Sequence, residues 1–310
     1  MYSFTTINTD NMYARTFSLF VCSLLLNFVT CQTPSLPSLA FDPAFARNYL
    51  YPISSAAFSL YPQACLNDVF GRNNSKVISY TQKACDDLNK ETCAGYLAIS
   101  DTRKAIILAF RGSNDNFQVI EEAGSIFKQM EDSIIGGKVN SYFYKAFQTL
   151  WTDGLRDSFL TAKNACPSYE IWVTGHSLGA AMASLAAGDI VKLGYSNNAV
   201  VKLVTFGQPR TGDSDYAAAH DLLLPDSYRV VHAHDIVPHL PPEGIEGYRH
   251  HRNEIWYNNA MLVSNDTYIE CDTDESNACS NSGLDLSIDD HRLYYGVDVM
   301  SWALDGCQYP

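Results

Sequence analysis

Basic side chains are scarce in this 310-residue chain: 21 lysines and arginines stand against 34 aspartates and glutamates, a formal charge of −13. So acidic a balance argues against nucleic acid as a partner and against strong attraction to anionic lipid, and it says little about neutral lipid. Long apolar runs are missing too. The prominent one, Phe17 to Val29, is too short to cross a bilayer comfortably, so no transmembrane segment is expected. No paired C-x-x-C spacing occurs among the nine cysteines, which argues against a metal site. There is no internal repeat, low-complexity tract or second-domain linker, and no cofactor is expected.

The short apolar run follows a single basic residue, Arg15, and gives way to small or polar residues around Thr30 and Cys31. That pattern predicts a secretory signal peptide over residues 1–31, cleaved near Cys31-Gln32, with Met12 as an alternative start and an uncleaved anchor as the competing reading. Residues 32–310 then form one large α/β domain of a secreted, extracellular protein. In an oxidising compartment the remaining cysteines should pair. Short spacing suggests Cys85 with Cys93 and Cys271 with Cys279, Cys65 and Cys307 could tie the two ends of the domain, and Cys166 is left over. Asn73 and Asn265 open N-x-S/T triplets that fit glycosylated surface loops.

Apolar, β-branched runs at Lys104 to Phe110, Glu170 to Thr174, Val200 to Phe206 and Ser227 to Ala233 alternate with candidate helices at Phe45 to Ala64, Ser141 to Phe159 and Leu178 to Leu193. Alternation of this kind predicts a mostly parallel central sheet with helices on both faces. Glu254 to Tyr257 reads as a further strand.

The most informative motif is Gly175-His176-Ser177-Leu178-Gly179, set between the strand ending at Thr174 and an alanine-rich helix. A serine is a poor nucleophile unless a base reaches its hydroxyl, and a sharp strand-to-helix turn flanked by glycines presents it for that purpose. The acid that would orient the base is best placed at Asp235, which closes the run from Tyr228. Asp213, Asp215, Asp221 and Asp226 read instead as solvated loop or helix charges. The chain order serine, acid, histidine restricts the base to His239, His250, His251 or His291; His291 is the best placed on a late loop, and the residues alone leave the choice open. Backbone amides of Leu178 and Ser113 are the candidate oxyanion donors. Beyond Ser113, Phe117 to Ile134 carries apolar residues at helical spacing, consistent either with a hinged lid or with an ordinary helix packed on the core.

Together, Ala109-Phe110-Arg111-Gly112-Ser113, Thr174 to Gly179, Thr205 to Asp213, His234 to Pro242 and Gly247-Tyr248 through Trp256-Tyr257 resemble the fungal-type (class 3) triacylglycerol lipases. The resemblance covers about residues 60–300. It implies an α/β-hydrolase fold, Ser177 as nucleophile, Asp235 as acid, His291 as base, Ser113 with Leu178 as oxyanion hole, a lid near Asp115 to Phe127, and the Cys271/Cys279 bridge. One departure stands out: where many relatives carry a histidine and a glycine after Gly136-Gly137-Lys138-Val139, this chain has Asn140 and Tyr142. The expected activity is acylglycerol hydrolysis in transient contact with a lipid surface. A phospholipase, a soluble carboxylesterase and a non-catalytic lipid-binding protein are the alternatives.

Overall fold

The computed structural model describes residues 40–85, 92–113, 129–283 and 285–308. The predicted leader and most of the predicted lid segment lie outside them. Residues 38–310 form one compact unit. Its frame is an eight-stranded sheet whose spatial order follows the chain: β1 (Lys76–Ala84), β2 (Thr92–Ser100), β3 (Ala105–Phe110), β4 (Glu170–His176), β5 (Val201–Phe206), β6 (Ser227–His232), β7 (Glu254–Tyr257) and β8 (Ile269–Cys271). Strands β3 to β7 are parallel, and the hairpin β1–β2 and the strand β8 add antiparallel edges.

The period-two geometry of a strand sorts β3 onto two cores. Ile106, Leu108 and Phe110 point into one cluster, with Phe143, Phe147, Phe159 and the α4 helix (below), while Ala105, Ile107 and Ala109 point into the other. A strand buried on both faces must be apolar throughout, which is why Ala105-Ile106-Ile107-Leu108-Ala109-Phe110 shows no alternation. The second cluster is closed by the helical run 43–56, by α1 (Gln63–Phe70) and by the C-terminal segment through Trp302. The first is closed by α2 (Ser141–Leu150), α3 (Arg156–Ala165), α4 (Leu178–Lys192) and α5 (Ser214–Leu223). No described helix is long and apolar enough to cross a membrane.

Several predicted elements have different bounds. The helix expected over Phe45 to Ala64 starts earlier, at Pro43 under an Asp42 cap, and breaks between Ala57 and Pro62 before α1 begins. The helix expected over Ser141 to Phe159 runs to Ala165 but is interrupted at Asp153 and Gly154, where Gly154 has φ +113°. Strand β4 continues past Thr174 to His176. The end of the amphipathic segment is not helical: Met130–Asp132 is a strand paired with Lys138–Asn140, because its backbone finds ladder partners there. Strands β1 and β2 carry no clean alternation of burial and were not expected.

All three expected disulfides are present, Cys65–Cys307, Cys85–Cys93 and Cys271–Cys279, and Cys166 is free. Asn73 and Asn265 are both exposed on turns.

Candidate active site

Strand β4 delivers Ser177 at its carboxyl end, where open α/β sheets hold their ligands. The serine has φ +59° and ψ −129°, a strained conformation for a residue with a side chain, and α4 starts at the next residue. Its amide donates to the Phe206 carbonyl at 3.0 Å, and its carbonyl accepts from Ala180 at 2.9 Å. The turn is so tight that a Cβ on Gly175 would run into the Gly179 carbonyl, and one on Gly179 into the Phe110 carbonyl. The motif's glycines are therefore space requirements of the elbow.

Asp235 follows β6, is fully buried, and sits at the centre of three donors. His291 Nδ1 lies 2.9 and 3.0 Å from its two carboxylate oxygens, the Val237 amide donates to Oδ1 at 2.8 Å, and the Tyr294 hydroxyl donates to Oδ2 at 2.6 Å. Burial alone would push this carboxyl up; the neighbouring His291 and the hydrogen bonds from His291, Tyr294 and Val237 outweigh it and hold the group below its usual range. A carboxylate only accepts, so the hydrogen of a neutral His291 is on Nδ1. Its Nε2 is then a bare acceptor, and that atom is buried with no hydrogen-bond partner among the described residues.

His291 is not on a loop. It lies in the short helix α6 (Ile288–Arg292), whose N-terminus is capped by Ser287. This helix is laced to the acid's segment: Ser287 N donates to His234 O at 2.7 Å, Ile236 N to Ser287 O at 3.2 Å, and His234 N to Asp290 Oδ2 at 3.1 Å. The lacing explains how residues 56 positions apart in sequence keep a 2.9 Å contact. The ring of His291 lies 4.4 Å from that of His176, the chain neighbour of Ser177.

The rival histidines are engaged elsewhere. His250 Nε2 bonds the Pro238 carbonyl and His251 Nε2 bonds Gln208, as expected for groups packed ahead of β7; His239 is held in a short 3-10 turn, Val237–His239. Of the rival acids, Asp213 and Asp221 are not solvated charges. Asp213 caps the helix Ser214–Leu223 through Tyr216 N, and Asp221 is 9% exposed and accepts from Arg252 N. Caps and buried loop anchors look like surface aspartates in a sequence because their partners are backbone amides.

Ser113 is 2% exposed, and its hydroxyl has no partner among the described residues. The segment bearing it passes against the elbow, since a Cβ on Gly112 would come within 3.0 Å of Ser177 Cβ. Arg111 is buried and its guanidinium holds Thr92, so this stretch is an anchored turn rather than a polar surface one. Asn140, at the departure from the family pattern, is buried, caps α2 through Phe143 N, and donates to the Tyr248 hydroxyl at 2.8 Å.

Two groups around the site went unrecognised in the sequence. Tyr294 is the acid's third side-chain or backbone support, yet a tyrosine three residues after a histidine reads as core. Glu275 forms a buried bidentate pair with Arg210, 2.8 Å on both arms, and also accepts from His250 N, which fastens the Cys271–Cys279 loop behind the acid loop. Among the described residues, one group of metal-ligand side chains clusters, His220, Asp221 and His251. The two imidazoles stack nearly parallel at 3.9 Å, a geometry in which their in-plane lone pairs do not converge on one ion.

The class 3 lipase family matches residues 107–245. A lipase of Caenorhabditis elegans is 33% identical over 289 residues, covering 83% of this chain and 80% of that one. The secreted mono- and diacylglycerol lipase 1 of Fusarium solani is 31% identical over 209 residues, 66% of this chain and 61% of its own length. The solved structure of the Rhizomucor miehei triacylglyceride lipase matches with a TM-score of 0.70 at 26% identity, over 84% of this chain and 97% of that one.

Proposed function

Because the chain belongs to the class 3 lipase family and is an ester hydrolase of the α/β-hydrolase fold, we propose that it is a secreted acylglycerol lipase that works at lipid–water interfaces through an acyl-enzyme. The observation that carries this reading is the buried Asp235–His291 hydrogen bond, 2.9 Å long, which leaves His291 Nε2 bare on a ring 4.4 Å from that of His176, the residue before Ser177.

In the reaction, His291 Nε2 takes the proton of the Ser177 hydroxyl as Oγ attacks the ester carbonyl. Asp235 keeps the imidazole in the Nδ1–H tautomer and stabilises the imidazolium that forms. The tetrahedral oxyanion is held by the amides of Ser113 and Leu178, each worth roughly 2.7–4 kcal/mol of barrier. His291 returns the proton to the departing alcohol, leaving an acyl-serine, and water repeats the sequence to release the fatty acid. Leu178 is the first residue of α4, so the positive end of a helix dipole adds to its donor.

Residues 1–31 serve as the signal peptide and 32–310 as the mature lipase, with sugars on Asn73 and Asn265. Three disulfides and a relative named as secreted support export. A relative named as a mono- and diacylglycerol lipase favours a second reading, in which partial glycerides are preferred to triacylglycerol.

The test is hydrolysis of emulsified long-chain triacylglycerol, diacylglycerol and a soluble short-chain ester, by the purified protein and by Ser177→Ala, across each substrate's solubility limit. Activity that climbs at the emulsion threshold and vanishes in the variant supports the interfacial lipase. Activity confined to the soluble ester makes the protein an esterase, and activity on diacylglycerol alone selects the second reading.

A further inference from the structure

Two histidines outside the Ser177, Asp235, His291 set hold the two peptide groups that flank His291. The Asp290 carbonyl lies 3.0 Å from His232 Nδ1, and the His291 carbonyl lies 2.7 Å from His176 Nε2. These are consecutive carbonyls in the last turn of α6, where intrahelical donors run out; the helix's closing bond, Leu293 N to Asp289 O, comes one residue too early to serve either. Carbonyls only accept, so each imidazole nitrogen facing one carries its hydrogen.

We propose that His176 and His232 are positioning residues for the base, pinning the peptide planes on both sides of the His291 Cα and so fixing the backbone angles that aim its ring at Ser177. This rests on the reading of His291 as the base. A helix of five residues is far below the length at which helices hold themselves, so its orientation must come from outside. The lacing of Ser287 and Asp290 to the acid's segment holds its start, and the two histidines hold its end from the strands that matter. His176 ends β4 and is joined directly to Ser177, whereas His232 ends β6 three residues before Asp235. The base's backbone is thereby referenced to the nucleophile's strand at one carbonyl and to the acid's strand at the next.

His176 is suited to the task because it stays neutral. Burial, and then the neighbouring His291, push it down to about 3, so it remains a single-proton donor while the adjoining ring gains and loses charge. Its other nitrogen, Nδ1, has no partner among the described residues, which leaves the carbonyl bond as the ring's polar contact there.

The test compares donors with non-donors at the same positions. His176→Gln and His232→Asn each put an amide N–H near the place of the bonded ring nitrogen, and His176→Leu and His232→Leu remove it. With a soluble short-chain ester, each leucine variant should lose about 10- to 100-fold in kcat with KM within about twofold, the scale expected for a base misplaced by a fraction of an ångström to one ångström. The amide variants should recover most of that loss. If a leucine variant does not fold, the phenylalanine variant, which keeps a ring and lacks the donor, takes its place. Folded non-donor variants with wild-type kcat, or amide variants as damaged as the non-donors, would overturn the proposal. His291→Ala is measured alongside: if it retains full activity, the assignment of the base itself fails, and if it is inactive the outcome of the other variants bears on positioning alone.

Discussion

The Tyr294 hydroxyl donates to Asp235 Oδ2 at 2.6 Å, completing the set of donors around a carboxylate that has no exposed surface. The bond is charge-assisted and buried, and the tyrosine is itself pushed well above its ordinary range by burial and by the charge of Asp235.

Tyr294→Phe should therefore weaken the acid's ionised form. Asp235 is held below its usual range in the folded protein, so its contribution to stability is present above the unfolded pKa of about 3.9 and is lost as pH falls through the folded value. Removing one donor raises the folded value and shrinks that contribution. We expect a loss of about 1.5–3 kcal/mol in urea unfolding at neutral pH, narrowing once the medium is acidic enough to protonate the carboxyl in both proteins. A pH-independent loss would show that the hydroxyl matters through packing instead.

Asp189 behaves in the opposite sense. It is 3% exposed on α4 with a 3.4 Å hydrogen bond from Gln148, and burial raises it to about 7. The folded state binds a proton that the unfolded chain releases near 3.9, so the associated stability is full below that value and drains away as pH rises to about 7. Asp189→Asn should gain about 1–3 kcal/mol at mildly alkaline pH and little or nothing in acid. Thermal melts of both proteins at pH values on either side of this window measure it, and an equal effect at both would contradict the assignment.

The Cys65–Cys307 disulfide closes 242 residues and fastens α1 to the C-terminal segment. A bridge over so long a loop restrains the unfolded chain strongly, and removing a native one typically costs about 2–5 kcal/mol. The paired variant Cys65→Ala with Cys307→Ala should lower the melting temperature more than Cys85→Ala with Cys93→Ala, whose bridge closes only 8 residues. Equal losses would mean that local packing, not chain restraint, sets the effect.

The parts of this site that could be read in the sequence are those whose chemistry is carried by local context. Ser177 is announced by a strand, two glycines and an alanine-rich helix, and Asp235 by the end of a buried run. His291 was the best-placed candidate, and the block resemblance selected it. Its helix was hidden because five residues give no periodicity. The supports Tyr294, Glu275, His176 and His232 act through space on residues remote in the chain, and each reads locally as core or loop. The β1–β2 hairpin has no clear sequence signal because β1 is an edge strand whose exposed and half-buried residues do not alternate cleanly, whereas β3, buried on both faces, is plain. Asp213 and Asp221 read as solvated charges for a related reason: the amides they serve have no signature in a sequence.

Gly207 offers the sharpest probe of the site's geometry. It has φ +57°, and its amide donates to the Val230 carbonyl at 3.0 Å, so its place is fixed by the sheet. A Cβ there would lie 2.7 Å from Asp235 Oδ2 and 2.8 Å from His291 Nδ1. Gly207→Ala thus incurs about 1–2 kcal/mol for a left-handed residue with a side chain, and it drives a methyl group into both partners of the acid–base contact. Neither partner can retreat, since both are fully buried. We expect kcat to fall about 100-fold or more while KM changes little. Gly154→Ala is the matched control: Gly154 also has positive φ, +113°, but a Cβ there meets nothing within 4 Å. It should lose stability and keep activity. Should Gly207→Ala fold and retain wild-type kcat, the close packing of this backbone against the Asp235–His291 pair would have no catalytic consequence, and the geometric reading of the site would have to be revised.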